Sequence, residues 1–424
     1  MNITSQRLGT LSAVAAALFA SLAIGACNKP AEDSAAKSGE ELKGADQAPP
    51  PAAAPKEIKL GQTMPYSGPA SAYGTIGKLH SAYFKMVNEQ GGIDGYKINL
   101  ISLDDGYSPP KTVEQTRKLV EEEQVVAMFS PLGTAPNSAI QKYLNTKKVP
   151  QLLVSSGATK WGDPEHFPWT MGFNPSYRLE GKIYGKQIAA NTPKAKVAVL
   201  YQNDDYGKDL LEGLKDGLGD LAKNIVKEVS YETSDPTVDS QVIALKGSKA
   251  EVFVNITTPK FAAQAVRKAY DSGWKPKYHY LNNVGASIGT VLKPAGVDKA
   301  KGVITVQYYM DSTDSQWDNA PGMAKYKEFM KKYYPEGQLD DASNVYAYVE
   351  AEVMVQILKQ CAGTYTSENI IKQAAALKDY KPELLLPGIV INTSDKDFFM
   401  FDQLQLSRFD GTIYKIEGDV IKAD

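Results

Sequence analysis

This chain is poor in cysteine, histidine and net charge. Its 424 residues include two Cys and three His, and 47 basic residues nearly balance 49 acidic ones. Cys361 has no possible partner but Cys27, the candidate lipidation site, so the fold is expected to rest on a hydrophobic core, which a chain of this length is able to bury. The histidines His80, His166 and His279 are scattered, no H-E-x-x-H or paired Cys occurs, and no metal site is expected. The near-balance of charge leaves no basic field, so no nucleic acid partner is expected. No G-x-x-x-x-G-K-[ST] loop is present to cradle a phosphate, and no cofactor is expected. Cys361, at the end of the apolar run VMVQILKQCAG, reads as a small buried hydrophobe.

Long apolar runs are also scarce. Leu11 to Ala26 (LSAVAAALFASLAIGA) is shorter than the roughly 20 apolar residues that span a bilayer comfortably. It follows Arg7 and ends in small residues, which describes a secretory signal over residues 1–26. Ile24-Gly25-Ala26-Cys27 resembles a bacterial lipobox, in which the Cys is lipidated and becomes the new N-terminus. A plain signal peptide with an incidental Cys is the alternative. Residues 27–56 comprise Cys27 and a stretch of Ala, Pro and charge without an aromatic, read as a flexible tether.

From Glu57 onward, short β-rich runs alternate with helical periods. EIKLGQTM, YKINLISL, VVAMFS and VPQLLVSS read as strands, with amphipathic helices such as TIGKLHSAYFKMVNEQ between them. A second series begins near Lys194 with AKVAVLYQ and continues through EVFVNITT and YHYLNNV. A long helix near residues 343–359 and a β-like tail from Phe398 to Ile421 follow. Repeated β-α-β implies parallel sheets flanked by helices, here as two α/β lobes.

Several motifs admit two readings. Gly285 to Gly289 (GASIG) matches the G-x-S-x-G nucleophile elbow, but all three His precede Ser287, whereas that fold places its His after the Ser. A Gly/Ser turn is the simpler reading. Asp104-Asp105 could hold a metal or simply end a strand in solvent. Two segments after strands, Gly133-Thr134-Ala135 and Ser155 to Thr159, are rich in small residues at the ends where open α/β sheets bind ligands. Backbone amides and helix N-termini there favour a carboxylate. Ordinary helix capping by Ser and Thr would produce the same residues.

Taken together, IKLGQTMPYSGPASAYG, FKMVNEQGGIDGYKINLISLDD, SPLGTAPNSA, VSSGATKW and VAVLYQNDDYGKD resemble the periplasmic solute-binding proteins of the leucine/isoleucine/valine type, which serve ABC importers. The resemblance covers most of the chain from Glu57. It implies a type I periplasmic binding protein: two Rossmann-like lobes joined by three crossovers, residues 57–174 and 308–388 in lobe 1, residues 175–307 and 389–424 in lobe 2. It implies a non-catalytic, monomeric receptor in the periplasm, tethered to the membrane through a lipid on Cys27. The receptor would capture an amino acid or related small carboxylate and hand it to a permease. Matched position by position, the cleft residues would be Tyr73, Gly133, Thr134, Ala135, Ser155, Ser156, Ala158, Thr159, Tyr206, Thr257, Thr258, Asn282 and Asn283. Two features depart from the family pattern. LNNVG has no acidic residue near Asn283 to pair with a ligand ammonium, and no aromatic stands near Thr257 or Thr258. An acid without an ammonium group, including an aromatic acid, is therefore an alternative solute. A disulfide known in some relatives has no counterpart, since Tyr107 stands near one expected position. A lipid-anchored hydrolase using Ser287, or a sensor that presents its closed form to a membrane receptor, are the readings from other classes.

Overall fold

A computed structural model of the protein describes residues 56–423. The leader, Cys27 and the tether up to residue 55 lie outside the described residues. The first sheet is wholly parallel. It contains β1 (Glu57–Met64), β2 (Lys97–Asp104), β3 (Ala127–Phe129), β4 (Gln151–Val154) and β5 (Thr170–Gly172), in the order β2-β1-β3-β4-β5. Helices α1 (Gly74–Glu89), α2 (Pro109–Arg117) and α3 (Thr134–Lys147) connect these strands. Strands β3 and β4 are buried along their whole length, as expected of a parallel sheet covered on both faces. Helix α1 seats Ile76, Leu79, Tyr83, Phe84 and Val87, a helical period, in the core.

The chain then builds a second sheet. Helix α4 (Tyr177–Asn191) leads into β6 (Val197–Gln202), α5 (Asp205–Leu218), β7 (Ile225–Tyr231), α6 (Asp239–Gly247), β8 (Val252–Ile256), α7 (Pro259–Asp271) and β9 (Tyr278–Leu281). Two short helices, α8 (Lys293–Ala295) and α9 (Val297–Ala300), precede β10 (Val303–Gln307). The chain next adds α10 (Pro321–Tyr333), α11 (Ala342–Gln360) and α12 (Ser367–Ala374), with α11 packed on α1 of the first lobe. It ends with β11 (Gln403–Phe409) and β12 (Tyr414–Lys422) on the second sheet, whose order is β12-β11-β10-β9-β8-β6-β7. These last two strands pair antiparallel, a departure from the repeated β-α-β pattern. A hairpin is the connection that a four-residue gap permits; a parallel pair needs a crossover.

One pair of helices carries a signature that the strand pattern hides. A Cβ on Gly181 of α4 would lie 2.1 Å from the carbonyl oxygen of Leu210, and one on Gly213 of α5 would lie 2.2 Å from that of Arg178. Gly185 and Gly217, one turn further on, meet in the same way. The two helices approach backbone to backbone, and no larger side chain fits between them.

Candidate binding cleft

The cleft begins at the C-terminal strand ends of the first lobe. Asp104, at the end of β2, accepts hydrogen bonds from the amides of Tyr66, Ser67 and Gly106 at 3.0–3.1 Å, from Ser67 Oγ at 2.7 Å and from Lys111 Nζ at 2.9 Å. Burial opposes its charge, but these donors outweigh it and hold the carboxyl well below the usual range. Asp105 accepts from the Tyr107 amide and Thr112 Oγ1. The pair therefore anchors the Ser67-Gly68-Pro69 turn and the following loop, and no metal-holding cluster of three acidic, His or Cys side chains is found among the described residues. The two loops so fixed deliver Tyr73 and Tyr107 to the cleft.

On the next strand, Gly133 adopts φ +98 as it turns into α3, and a Cβ there would strike the Tyr107 ring at 2.4 Å. Helix α3 has no side-chain cap, and with Pro136 lacking an N–H and Asn137 bonded to Gly133, the amides of Thr134 and Ala135 are left for another acceptor. Leu132, Thr134, Ser155 and Tyr346 line the same wall. The second lobe contributes Tyr177, Tyr206, Thr258, Asn283, Val284 and Ser287. The enclosed space, open solvent at its mouth included, is about 640 Å³. Among the described residues six tyrosines line it (73, 107, 177, 206, 309 and 346), and no Asp, Glu, Lys or Arg does. The Tyr206 hydroxyl has no hydrogen-bond partner among the described residues, although the residue is only 2% exposed.

The lobes meet around this space. Tyr73 Oη donates to the Val284 carbonyl at 2.9 Å, closing over the cleft. On one side the Thr159 amide donates to Asp209 at 2.7 Å and Lys160 pairs with Asp205 at 2.8 Å. On the other, Ser287 Oγ donates to Asp341 at 3.1 Å and accepts from the Ala342 amide, while the Gly289 amide donates to the Asp340 carbonyl at 2.8 Å. The G-x-S-x-G motif is thus the second lobe's contact with the N-terminus of α11. His80 and His279 are buried elsewhere and His166 is paired with Asp163, so none serves Ser287 as a base.

Two carboxylates stand one layer behind the walls. Glu350 of α11 is fully buried beneath Ser155 and Tyr346. Ser130 Oγ donates to it at 2.8 Å, Tyr346 Oη at 3.3 Å and Ser155 Oγ at 3.4 Å. His80 Nε2 lies 3.3 Å away, an ion-pair distance with poor hydrogen-bond alignment. Burial raises the Glu350 pKa, and His80 opposes that rise. Glu180 of α4 lies behind Asn283, accepting from its amide and from Tyr184 Oη, both at 2.7 Å. Burial pushes its pKa up to about 7. A carboxylate near Asn283, absent from the local sequence, is therefore supplied by a helix 103 residues upstream. Asn283 Nδ2 is committed to the Val306 carbonyl at 2.7 Å, which leaves its side-chain oxygen to accept.

Of the residues matched from sequence, Tyr73, Gly133, Thr134, Ser155, Tyr206, Thr258 and Asn283 line the cleft. Ala135, Ser156, Ala158, Thr159, Thr257 and Asn282 do not. Ser156 supports the wall from behind, bonded to Thr134 Oγ1 at 2.6 Å and to Trp161 Nε1 at 2.9 Å. Asn282 Oδ1 accepts from the Thr257 amide, so both are spent on backbone architecture. Thr159 faces Asp209 across the lobe boundary. Tyr107, Tyr177, Tyr309 and Tyr346 were not singled out from sequence as cleft residues. Only their residue type, unusually frequent in this chain at 24 positions, hinted at them.

Two α/β lobes closing on a cleft at their strand ends define a bilobal binding protein. Residues 57–410 match the family model described as periplasmic binding protein, and the chain belongs to that family. Its members are extracytoplasmic receptors that bind small-molecule solutes for ABC transporters. The chain is similar to Leu/Ile/Val-binding protein homolog 7 of Brucella abortus, with 26% identity over 341 residues, 77% of this chain and 83% of the relative. It shares its fold with a branched-chain amino acid ABC transporter protein from Thermus thermophilus with bound valine (TM-score 0.78, 17% identity, 87% of this chain and 97% of that one). It also shares it with a fatty acid ABC transporter substrate-binding protein from Thermomonospora curvata (TM-score 0.70, 22% identity, 88% and 94%).

Proposed function

We propose that this receptor captures an amino acid or related small carboxylate between its lobes and delivers it to the permease of an ABC importer, anchored outside the cytosol by a lipid on Cys27. The observation that carries the carboxylate is the uncapped N-terminus of α3, buried in the cleft wall beside Ser155. A helix start with free amides attracts an anion. Relatives named for leucine, isoleucine and valine support the amino acid. A second reading, an acid without an α-ammonium, is favoured by the lining itself, which holds six tyrosines and no ionised group. An ammonium next to the carboxylate would lose its hydration and gain no opposite charge. Thermal unfolding against leucine, valine, phenylalanine, benzoate and hexanoate tests both. A bound solute at about 100 times its Kd adds about 2.7 kcal/mol of stability. Stabilisation by leucine or valine supports the amino acid, stabilisation by benzoate or hexanoate alone supports the second reading, and no response to any acid removes the carboxylate.

A further inference from the structure

Asn283, Tyr309 and Ala342 line the cleft and also line a neighbouring chamber, with about 390 Å³ of empty space, open solvent included. Its far wall holds Asp311, just after β10, and Tyr414, at the start of β12. Two features of this chamber serve nothing described so far. The Tyr414 hydroxyl has no hydrogen-bond partner among the described residues, although the residue is only 3% exposed. Leaving such a group empty costs free energy, and native proteins rarely do so without a purpose. The Asp311 carboxylate accepts from the Thr313 amide at 2.8 Å and from Thr313 Oγ1 at 2.7 Å, both on one oxygen. Burial raises its pKa, and a backbone hydrogen bond from Tyr414 opposes that rise. Asp340, in the same chamber, is already paired with Lys293. Among the described residues Asp311 is thus a half-buried acid for which no ion pair is found, beside a phenol without a partner.

We propose that this chamber is a subsite for an ammonium group at the far end of the solute, whose carboxylate sits at Thr134 and Ser155. The inference rests on the solute-receptor reading above. It narrows the solute to an acid and an amine separated by an apolar spacer, instead of sharing one carbon as in leucine. Ile76, Val284 and Tyr309 along the cleft suit such a spacer. It also explains why a cleft without charge near the carboxylate end belongs to a family that includes amino-acid binders.

Calorimetric titration of the purified protein with matched pairs tests it: 6-aminohexanoate against hexanoate, and 4-(aminomethyl)benzoate against 4-methylbenzoate, with leucine as reference. The expected result is that, in at least one pair, the amine binds tenfold or more tighter. Asp311→Asn should bring that ratio to near one. Tyr414→Phe, which keeps the ring and its packing, should weaken the amine alone by several-fold and covers the case in which Asp311→Asn does not fold. If leucine or the amine-free acids bind and the amines do no better, or if the preference survives Asp311→Asn, the subsite is overturned while the receptor reading stands. If no probe in either series binds, both readings fall.

Discussion

Behind Ser155 in the first lobe lies Glu350, and behind Asn283 in the second lies Glu180. Neither lines the cleft, yet each is hydrogen-bonded to a residue that does. Their surroundings differ. Glu350 has His80 at ion-pair distance and hydroxyls from Ser130, Ser155 and Tyr346. Glu180 accepts from one backbone amide and one phenol. Glu350 stands among three hydroxyl donors and the edge of an imidazole. A charge on Glu180 has only neutral dipoles for company, and burial answers by raising its pKa. Two carboxylates at equal depth therefore do different work: one is part of a polar scaffold, the other is close to titrating near neutral pH.

The largest expected effect follows from the paired side. His80→Ala empties a fully buried site beside Glu350 and removes the ring that meets Gln62, and large-to-small core substitutions cost about 2–5 kcal/mol. Tyr184→Phe removes one neutral donor from Glu180 and should cost about 1 kcal/mol. Urea unfolding of both variants measures the contrast. Equal losses would mean that the His80 site contributes no more than a single neutral donor, and the comparison would break there.

Acid–base titration sharpens the other side. The Glu180 pKa rises from an ordinary 4.5 to about 7 on folding, so the native state holds the proton more tightly than the unfolded chain. Between those values the native state binds more protons, and stability falls as pH rises. Across the window the loss amounts to about 3 kcal/mol. Glu352, also pushed up to about 7 by burial, acts in the same direction. The difference between the wild-type slope and that of Glu180→Gln isolates the Glu180 share. Denaturant unfolding from pH 5 to 8 should show a shallower decline for Glu180→Gln, and parallel curves would exclude Glu180 as the titrating group.

What could be read in the sequence was local. The segment Gly133-Thr134-Ala135 showed a strand end, a small-residue turn and a helix start within a few residues, and the cleft wall is built there. Alternating runs likewise announced the strands, because covered parallel strands carry their apolar pattern in themselves. The missing parts depend on distant segments. Glu350 is 195 residues from the Ser155 that it supports, and Tyr346 reaches the same wall from α11. Tyr107 was noted for the cysteine it is not, while its ring in fact closes on Gly133. The antiparallel tail and the interlocked glycines of α4 and α5 are likewise matters of pairing, which no single segment declares.

The two walls also differ in what they can offer a solute, and one substitution separates them. Thr134 is the first helical residue of α3, a position where proline is tolerated because its amide has no partner within the helix. Gly133 before it has ψ 147, the extended value that a following proline demands. Thr134→Pro should therefore fold, yet it deletes the amide that the proposed carboxylate would use, together with the Thr134 Oγ1–Ser156 bond. Loss of one charge-assisted bond, about 1.5–3 kcal/mol, corresponds to roughly 10–150-fold weaker binding. Asn283→Ala on the opposite wall removes a neutral acceptor and should cost less, about 1 kcal/mol or roughly fivefold. Calorimetry with the tightest acid of the panel measures both. If Asn283→Ala is the more damaging, the solute's charged end faces the second lobe, and the orientation argued from α3 is reversed.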